Sequence, residues 1–201
     1  NKDRTMQLAE SMGIAIPKTF YPQSLEDAAR IADFLSYPVV VKGARENGNV
    51  GYANSPEELI SQYKKISAFS PIIQEYITGG GYGFFALYNH GEARAVFMHR
   101  RLREYPVTGG PSALAESIYD PMLMEQGLRL LDNLKWHGVA MVEFKKDILT
   151  GRYVLMEINP KFWGSLELAI ASGVDFPYLT CRMACEGDIE PVSEYKTGVR
   201  F

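Results

Sequence analysis

Apolar residues recur at helical spacing over 3–12 (Met6, Leu8, Ala9, Met12) and stop at Gly13, which predicts a helix with a glycine terminus. The same period predicts helices over 25–35 with Ser24 as its cap, 55–66 with Pro56 at the first position, 121–134, 166–171 and 177–186. Runs of period two, or continuous apolar runs bounded by turn residues, predict strands over 14–20, 38–42, 71–77, 84–89, 92–105, 137–147 and 152–160. Between them, 43–54 and 106–117 read as polar, glycine-bearing loops, and "GGGYG" at 79–83 as a hinge or junction. Strands joined mainly by hairpins and interspersed with helices indicate α+β, with two lobes divided near Gly79.

Composition narrows the class without naming a function. The 201 residues suffice for one sizeable domain with two lobes. A net charge of −3 without a basic block argues against a nucleic-acid partner. The absence of a signal peptide or a bilayer-length apolar run argues against a membrane and places the chain in the cytoplasm. Cys181 and Cys185, four apart in a predicted helix, read as two reduced thiols. The chain opens on Asn1 and closes on the strand-like "YKTGVRF", so it reads as a piece of a longer polypeptide.

The stretch "VLMEINPKFWGS" raises a chemical question. If the preceding turn centres on Thr150, Glu143 and Glu157 lie opposite each other on antiparallel strands. Period two then puts Met141, Glu143, Leu155, Glu157 and Asn159 on one face, and Val142, Phe144, Val154, Met156 and Ile158 on the other. Opposed like charges destabilise a ladder unless one acid is protonated, each is paired with a base, or a divalent cation lies between them. Two carboxylates and an amide oxygen suit a hard ion such as Mg²⁺. Two solvated acids on an exposed hairpin fit the pair equally well, and Asn159 with Pro160–Lys161 shifts the balance toward metal.

Lys42 ends an apolar strand and meets a loop with Gly43, Gly48 and Gly51, whose amides could cap phosphate oxygens. The order is not that of a Walker loop, and no GxGxxG opens a helix. "IIQEYI" could floor a flat base, with the Glu75 carbonyl and the Ile77 amide reading adenine; it also fits a plain interior strand.

An early Lys2, strand-borne Lys42, the glycine loop, "QEYI", Glu143 and "EINPK", in that order, resemble the ATP-grasp family of carboxylate-activating ligases. "MEINPKFWGSLELAIASGVDFP" is most similar to the large-subunit ATP-grasp domains of carbamoyl-phosphate synthase, with D-alanine–D-alanine ligase and biotin carboxylase more distant. The resemblance implies an ATP-grasp fold over 1–201, with a smaller lobe at about 13–78, a larger one at about 79–201 and ATP between them; a preceding domain is missing here. It implies that Lys2 and Lys42 hold phosphates under a flap over 43–51, and that Gln74, Glu75, Tyr76 and Ile77 form the adenine linker. It makes Glu143, Glu157 and Asn159 ligands of two Mg²⁺ ions, replaceable by Mn²⁺, and sets Lys161 near the transferred phosphoryl group. The family's ribose-binding acid is replaced by "TGGGYG", which leaves Tyr82 or backbone for that task. Carbamoyl-phosphate synthase carries an arginine where this chain has Gly164, which weakens bicarbonate as the substrate.

A ligase of this kind phosphorylates a carboxylate from ATP and lets an amine attack the acyl phosphate, so its partners are ATP, a small carboxylate, an amine and the other domains of the longer chain. The alternatives are phosphorylation of bicarbonate and carbamate, or an ATP-binding module without turnover. Of Arg100, Arg101 and Arg103, in "HRRLREY", one or two are candidates to orient the acceptor or the phosphoryl group, Arg101 and Arg103 foremost, because guanidinium matches planar oxyanions; a solvated basic strand face fits them as well. His90, His99 and His137 show no metal spacing and read as structural or surface residues, and Trp163 as a packing residue.

Overall fold

The computed structural model describes residues 2–43, 50–105 and 112–201, and for 2–5 the backbone alone. Helix α1 (Lys2–Ser11) ends at Gly13, whose φ of +72° suits a residue without a Cβ. The expected strand over 14–20 is broken. Pro17 has no amide to give a ladder, and only β1 (Thr19–Phe20) pairs as a strand, while Ala15 bridges to Val154.

The chain divides into two compact units. The smaller is Ile16–Ile77; the larger joins Asp3–Ala15 to Thr78–Phe201. In the smaller unit, α2 (Leu25–Ala32) is capped by Ser24 and α3 (Pro56–Lys65) by Ser55, each side chain accepting from an amide three residues on. β2 (Val39–Gly43), β3 (Val50–Ala53) and β4 (Pro71–Glu75) complete an antiparallel sheet in the order β1-β4-β2-β3. Val39, Val41 and Ile73 pack with Ala28, Ala32 and Leu59, so the two helices cover one face of this sheet. β3 falls where the pattern indicates a loop: Gly51 pairs with Val41 inside a strand, with the end of the Gln62 side chain lying over it.

The larger unit is a five-stranded antiparallel sheet of order β7-β6-β5-β8-β9. Its strands are β5 (Gly79–Asn89), β6 (Glu92–Glu104), β7 (Ser112–Ser117), β8 (Gly138–Asp147) and β9 (Tyr153–Asn159). Helix α4 (Pro121–Asn133) covers the face carrying Phe84, against which Gly127 packs. Helices α5 (Leu166–Ser172) and α6 (Phe176–Glu186) cover the opposite face, where Phe85 joins Leu168, Phe176 and Trp163 in the core.

Two expectations are revised here. The glycines at 79–83 lie just past the boundary between the two units, but as the opening residues of the central strand, paired residue by residue with β8. The segment 112–117 is a strand despite its weak β formers, because it is paired on both sides. β6 lies along one edge, and at the other Ala115 exchanges amide hydrogen bonds with Phe201.

Among the described residues no helix is long and apolar enough to cross a membrane. Cys181 and Cys185 are exposed free thiols.

Candidate active site

The final hairpin sets the site. Glu143 and Glu157 stand opposite each other in the ladder, as their spacing predicts, but by a different route. Near the turn the partners are Lys146 with Tyr153 and Lys145 with Val154, a register centred between Leu149 and Thr150. A register shift between Glu143 and Phe144 leaves Met156 as an extra residue, and this bulge brings the two acids level. It also corrects the face assignment. Leu155 pairs with Phe144 on the α4 side, fully buried, and Val154 crosses to the side of the acids.

Asn159 closes the rung. Its Nδ2 donates to Glu143 Oε1 and to Glu157 Oε2, each at 3.2 Å. The other Glu143 oxygen, Oε2, accepts from Arg101 Nη2 at 2.7 Å. Arg101 begins on β6 and reaches β8 across β5, which is possible because β5 carries Gly81 and Gly83 on this face. A Cβ on Gly81 would stand 2.8 Å from Arg101 Cδ; one on Gly83 would stand 2.4 Å from the Phe85 ring and 2.9 Å from His99 Nε2. Gly81 and Gly83 of "GGGYG" are therefore the floor over which a cation crosses to the acids.

Around this centre the structure sorts the expected residues. Lys161 lies two residues beyond Asn159, exposed. Arg103 does not join Arg101: ladder irregularities at Arg103 turn Glu104 onto the Arg101 side, 3.5 Å from its Nη1, and leave Arg103 exposed. Tyr82 lies on the opposite face from Glu143, because β5 alternates; its ring stands edge-on to Tyr153 at 5.1 Å, away from any role beside the acids. Gly48 and the rest of the flap over 44–49 lie outside the described residues, as do the Lys2 side chain and the 106–111 part of the second loop.

In the smaller unit, Lys42 shares the helix-free sheet face with Val40 and Gln74. Gln74 is buried and donates to Thr19 Oγ1 at 2.7 Å. Glu75 turns back on Lys18, its carboxylate accepting from that amide at 3.2 Å. Tyr76 packs edge-on to Tyr52 at 5.9 Å, and Ile77 is buried.

Two residues beside the acids, Lys145 and Glu104, were missed by sequence reasoning. Lys145 shares the Glu143 face by simple alternation, which extending the period one step would have found. Burial lowers its pKa; Glu104 opposes the shift and Arg101 adds to it. Glu104 became visible only through the irregularity in β6. His99, read as structural or superficial, is 1% exposed on the rung beside Gly83 and Glu143. Its Nδ1 lies 3.2 Å from Ser165 Oγ and its ring stands edge-on to Phe85 at 4.7 Å. Burial first, and the charge of Arg101 second, push this imidazole down to about 3. Trp163 packs as expected, 4.2 Å from Phe85 and 5.0 Å from Phe176 between ring centroids. Trp163 and Ser165 thus anchor the loop that carries Lys161.

The donor set is chemically suited to a divalent cation. Two facing carboxylates and an amide that can present Oδ1 are hard oxygen ligands, and Mg²⁺ takes its remaining oxygens from water and phosphate. Among the described residues no group of three or more His, Cys, Asp or Glu side chains is gathered for a metal, so a cation here depends on this mixed set.

Residues 70–201 match the model of a family described as ATP-grasp in the biosynthetic pathway with Ter operon. Among solved structures, the chain is similar to a Campylobacter jejuni biotin carboxylase in complex with β,γ-ATP (18% identity, TM-score 0.80, 98% of this chain and 48% of that one). It is similar to an L-amino acid ligase from Bacillus licheniformis (19%, 0.73, 96% and 51%). It is also similar to an ADP complex of N5-carboxyaminoimidazole ribonucleotide synthetase (16%, 0.81, 100% and 54%). At these identities the likeness is one of fold, and the chain spans about half the length of the proteins it matches.

Proposed function

The chain belongs to the ATP-grasp family, and on that premise we propose that it is the catalytic domain of an ATP- and Mg²⁺-dependent ligase that activates a carboxylate as an acyl phosphate for attack by an amine. The observation that carries this reading is the rung of Glu143 and Glu157 closed by Asn159. These three would hold the metal, two Mg²⁺ ions with Mn²⁺ as a substitute, and the metal would neutralise phosphate charge. The chain's own residues do the rest by position and charge. Lys161 and Arg101 face the transferred phosphoryl group or the acceptor carboxylate. Lys42 and Lys2 hold the ATP phosphates, with the flap around Gly48 over them. Gln74, Glu75, Tyr76 and Ile77 line the base. The acceptor is completed by other domains of a longer polypeptide.

Two further readings have specific support. The likeness of "MEINPK" to carbamoyl-phosphate synthase favours phosphorylation of bicarbonate, against which stands Gly164 in place of an arginine. The engagement of Glu143 by Arg101 favours a nucleotide-binding module without turnover.

ADP formation by the full-length protein, screened against amino acids, other carboxylates and bicarbonate, separates the three. Release that needs a carboxylate together with an amine supports the ligase. Bicarbonate-dependent release supports the second reading, and ATP binding without release the third. Glu157→Gln is expected to lower turnover by about 10²-fold or more with the fold intact. Unchanged turnover would remove the metal assignment.

A further inference from the structure

Neighbouring strands lie about 4.8 Å apart, and Arg101 on β6 is two residues along from the His99–Gly83–Glu143 row, so Arg101 and Glu143 on β8 start about 12 Å apart across β5. Arg101 spans this gap lying flat over the Gly81 position, where a Cβ would meet both its Cδ at 2.8 Å and Glu104 Oε1 at 2.7 Å. The pair is largely withdrawn from water, with side-chain exposures of 14% and 23%. Each Glu143 oxygen is thus engaged by a donor: Oε2 by the guanidinium and Oε1 by the Asn159 amide, which also bonds Glu157. These are the oxygens a divalent cation would take. A guanidinium and a metal ion cannot share the same lone pairs, and at this separation they repel.

We propose that Arg101 is the stand-in cation of the metal-free site, and that loading a divalent ion is an exchange of partners. The inference rests on the ligase reading given above. The guanidinium leaves Glu143 while remaining beside Glu104, and the Asn159 amide turns to present Oδ1 in place of Nδ2. Two consequences follow from the exchange. Glu143 keeps a cationic partner when no metal is bound, which lowers the cost of facing Glu157. Arg101 becomes available to an anionic group of the substrate only when the metal is in place, so metal loading and the exposure of this cation are one event.

The test is Mn²⁺ binding to the whole chain without nucleotide, read from the free-ion electron paramagnetic resonance signal. Arg101→Gln is expected to bind Mn²⁺ about tenfold or more tightly than the wild type, because the ion no longer displaces a charge-assisted hydrogen bond. Lys145→Gln removes an equal charge from the same face and is expected to tighten binding by less than about threefold. Equal or weaker binding by Arg101→Gln overturns the exchange, and so does an equal gain in Lys145→Gln, which would reduce the effect to net charge. If Arg101→Gln does not fold, Arg101→Lys decides. It keeps the charge on a stem too short to span Gly81 fully, and should still tighten binding; wild-type affinity in that variant overturns the proposal. Failure of all these proteins, wild type included, to bind Mn²⁺ with or without ATP removes the metal reading itself, and the exchange with it.

Discussion

Lowering the pH from 7 to 5 tests the burial of His99 directly. In the native state the imidazole is 1% exposed and held down to about 3, chiefly by burial and secondarily by Arg101. In the unfolded chain it titrates near the ordinary value of about 6.5. Between these values the unfolded chain binds a proton that the native state refuses, so acid favours unfolding. The contribution of the neutral imidazole is complete above about pH 6.5 and is lost as the pH falls toward 3. Each pH unit below 6.5 costs about 1.4 kcal/mol, so the step from pH 7 to pH 5 costs about 2 kcal/mol. Urea unfolding at pH 7, 6 and 5 measures this, with fluorescence of Trp136 and Trp163 as the signal. Both tryptophans lie in the larger unit, so the signal follows that unit and avoids a two-state assumption for the whole chain. The comparison is His99→Asn, which keeps a polar atom for Ser165 and cannot titrate. The smaller side chain lowers stability at every pH through the cavity it leaves, so the evidence lies in the slope. The gap between wild type and variant should narrow by about 2 kcal/mol between pH 7 and pH 5. Parallel profiles would refute the burial argument, since the carboxylates that titrate in this range are common to both proteins.

Two further substitutions probe close approaches. In Gly127→Ala the added Cβ would meet the fully buried Phe84 ring at 2.4 Å, and overpacking should cost about 1–3 kcal/mol; a melting temperature equal to that of the wild type would contradict the packing of α4 on the sheet. Gly81→Ala meets only the side chains of Glu104 and Arg101, so it should melt within about 1 kcal/mol of wild type while weakening the Arg101–Glu143 bond. Its Mn²⁺ affinity should therefore rise several-fold, and a pronounced loss of stability with no change in affinity would show that Arg101 does not depend on that crossing.

The rung shows how a costly arrangement is tolerated. Of the three remedies for opposed acids, the chain uses pairing with a base at Glu143. Arg101 answers Glu143, and Asn159 spreads the remaining charge across both carboxylates. The same acids are then met by a neutral partner two strands away. His99 shares their face but is kept uncharged by burial, so it adds no competing cation and instead fixes Ser165 at the end of the Lys161 loop.

Local rules carried far along this chain. Ser24 and Ser55 cap helices because their oxygens reach amides three residues on, and Gly13 ends α1 because a residue without a Cβ takes positive φ at no steric cost; all three are legible from near neighbours in sequence. Period two in 153–159 put Glu157 and Asn159 on one face for the same reason, while the bulge at Met156 brings Glu143 level with Glu157. What no local pattern holds is the partner across a strand. The bulge at Met156 decides which residues of β9 follow Glu157 onto its face. The irregularity at Arg103 substitutes Glu104 for it beside Arg101, and alternation in β5 sends Tyr82 to the far side. The glycines over 79–83 look like a hinge in sequence because glycine usually frees a backbone. In the fold they make room, and only the tertiary pairing of β5 between β6 and β8 reveals what crosses there. Sequence determined which chemistry the hairpin can carry, since side-chain type and spacing are local. The sheet decided which charges meet, since that depends on register between strands distant along the chain.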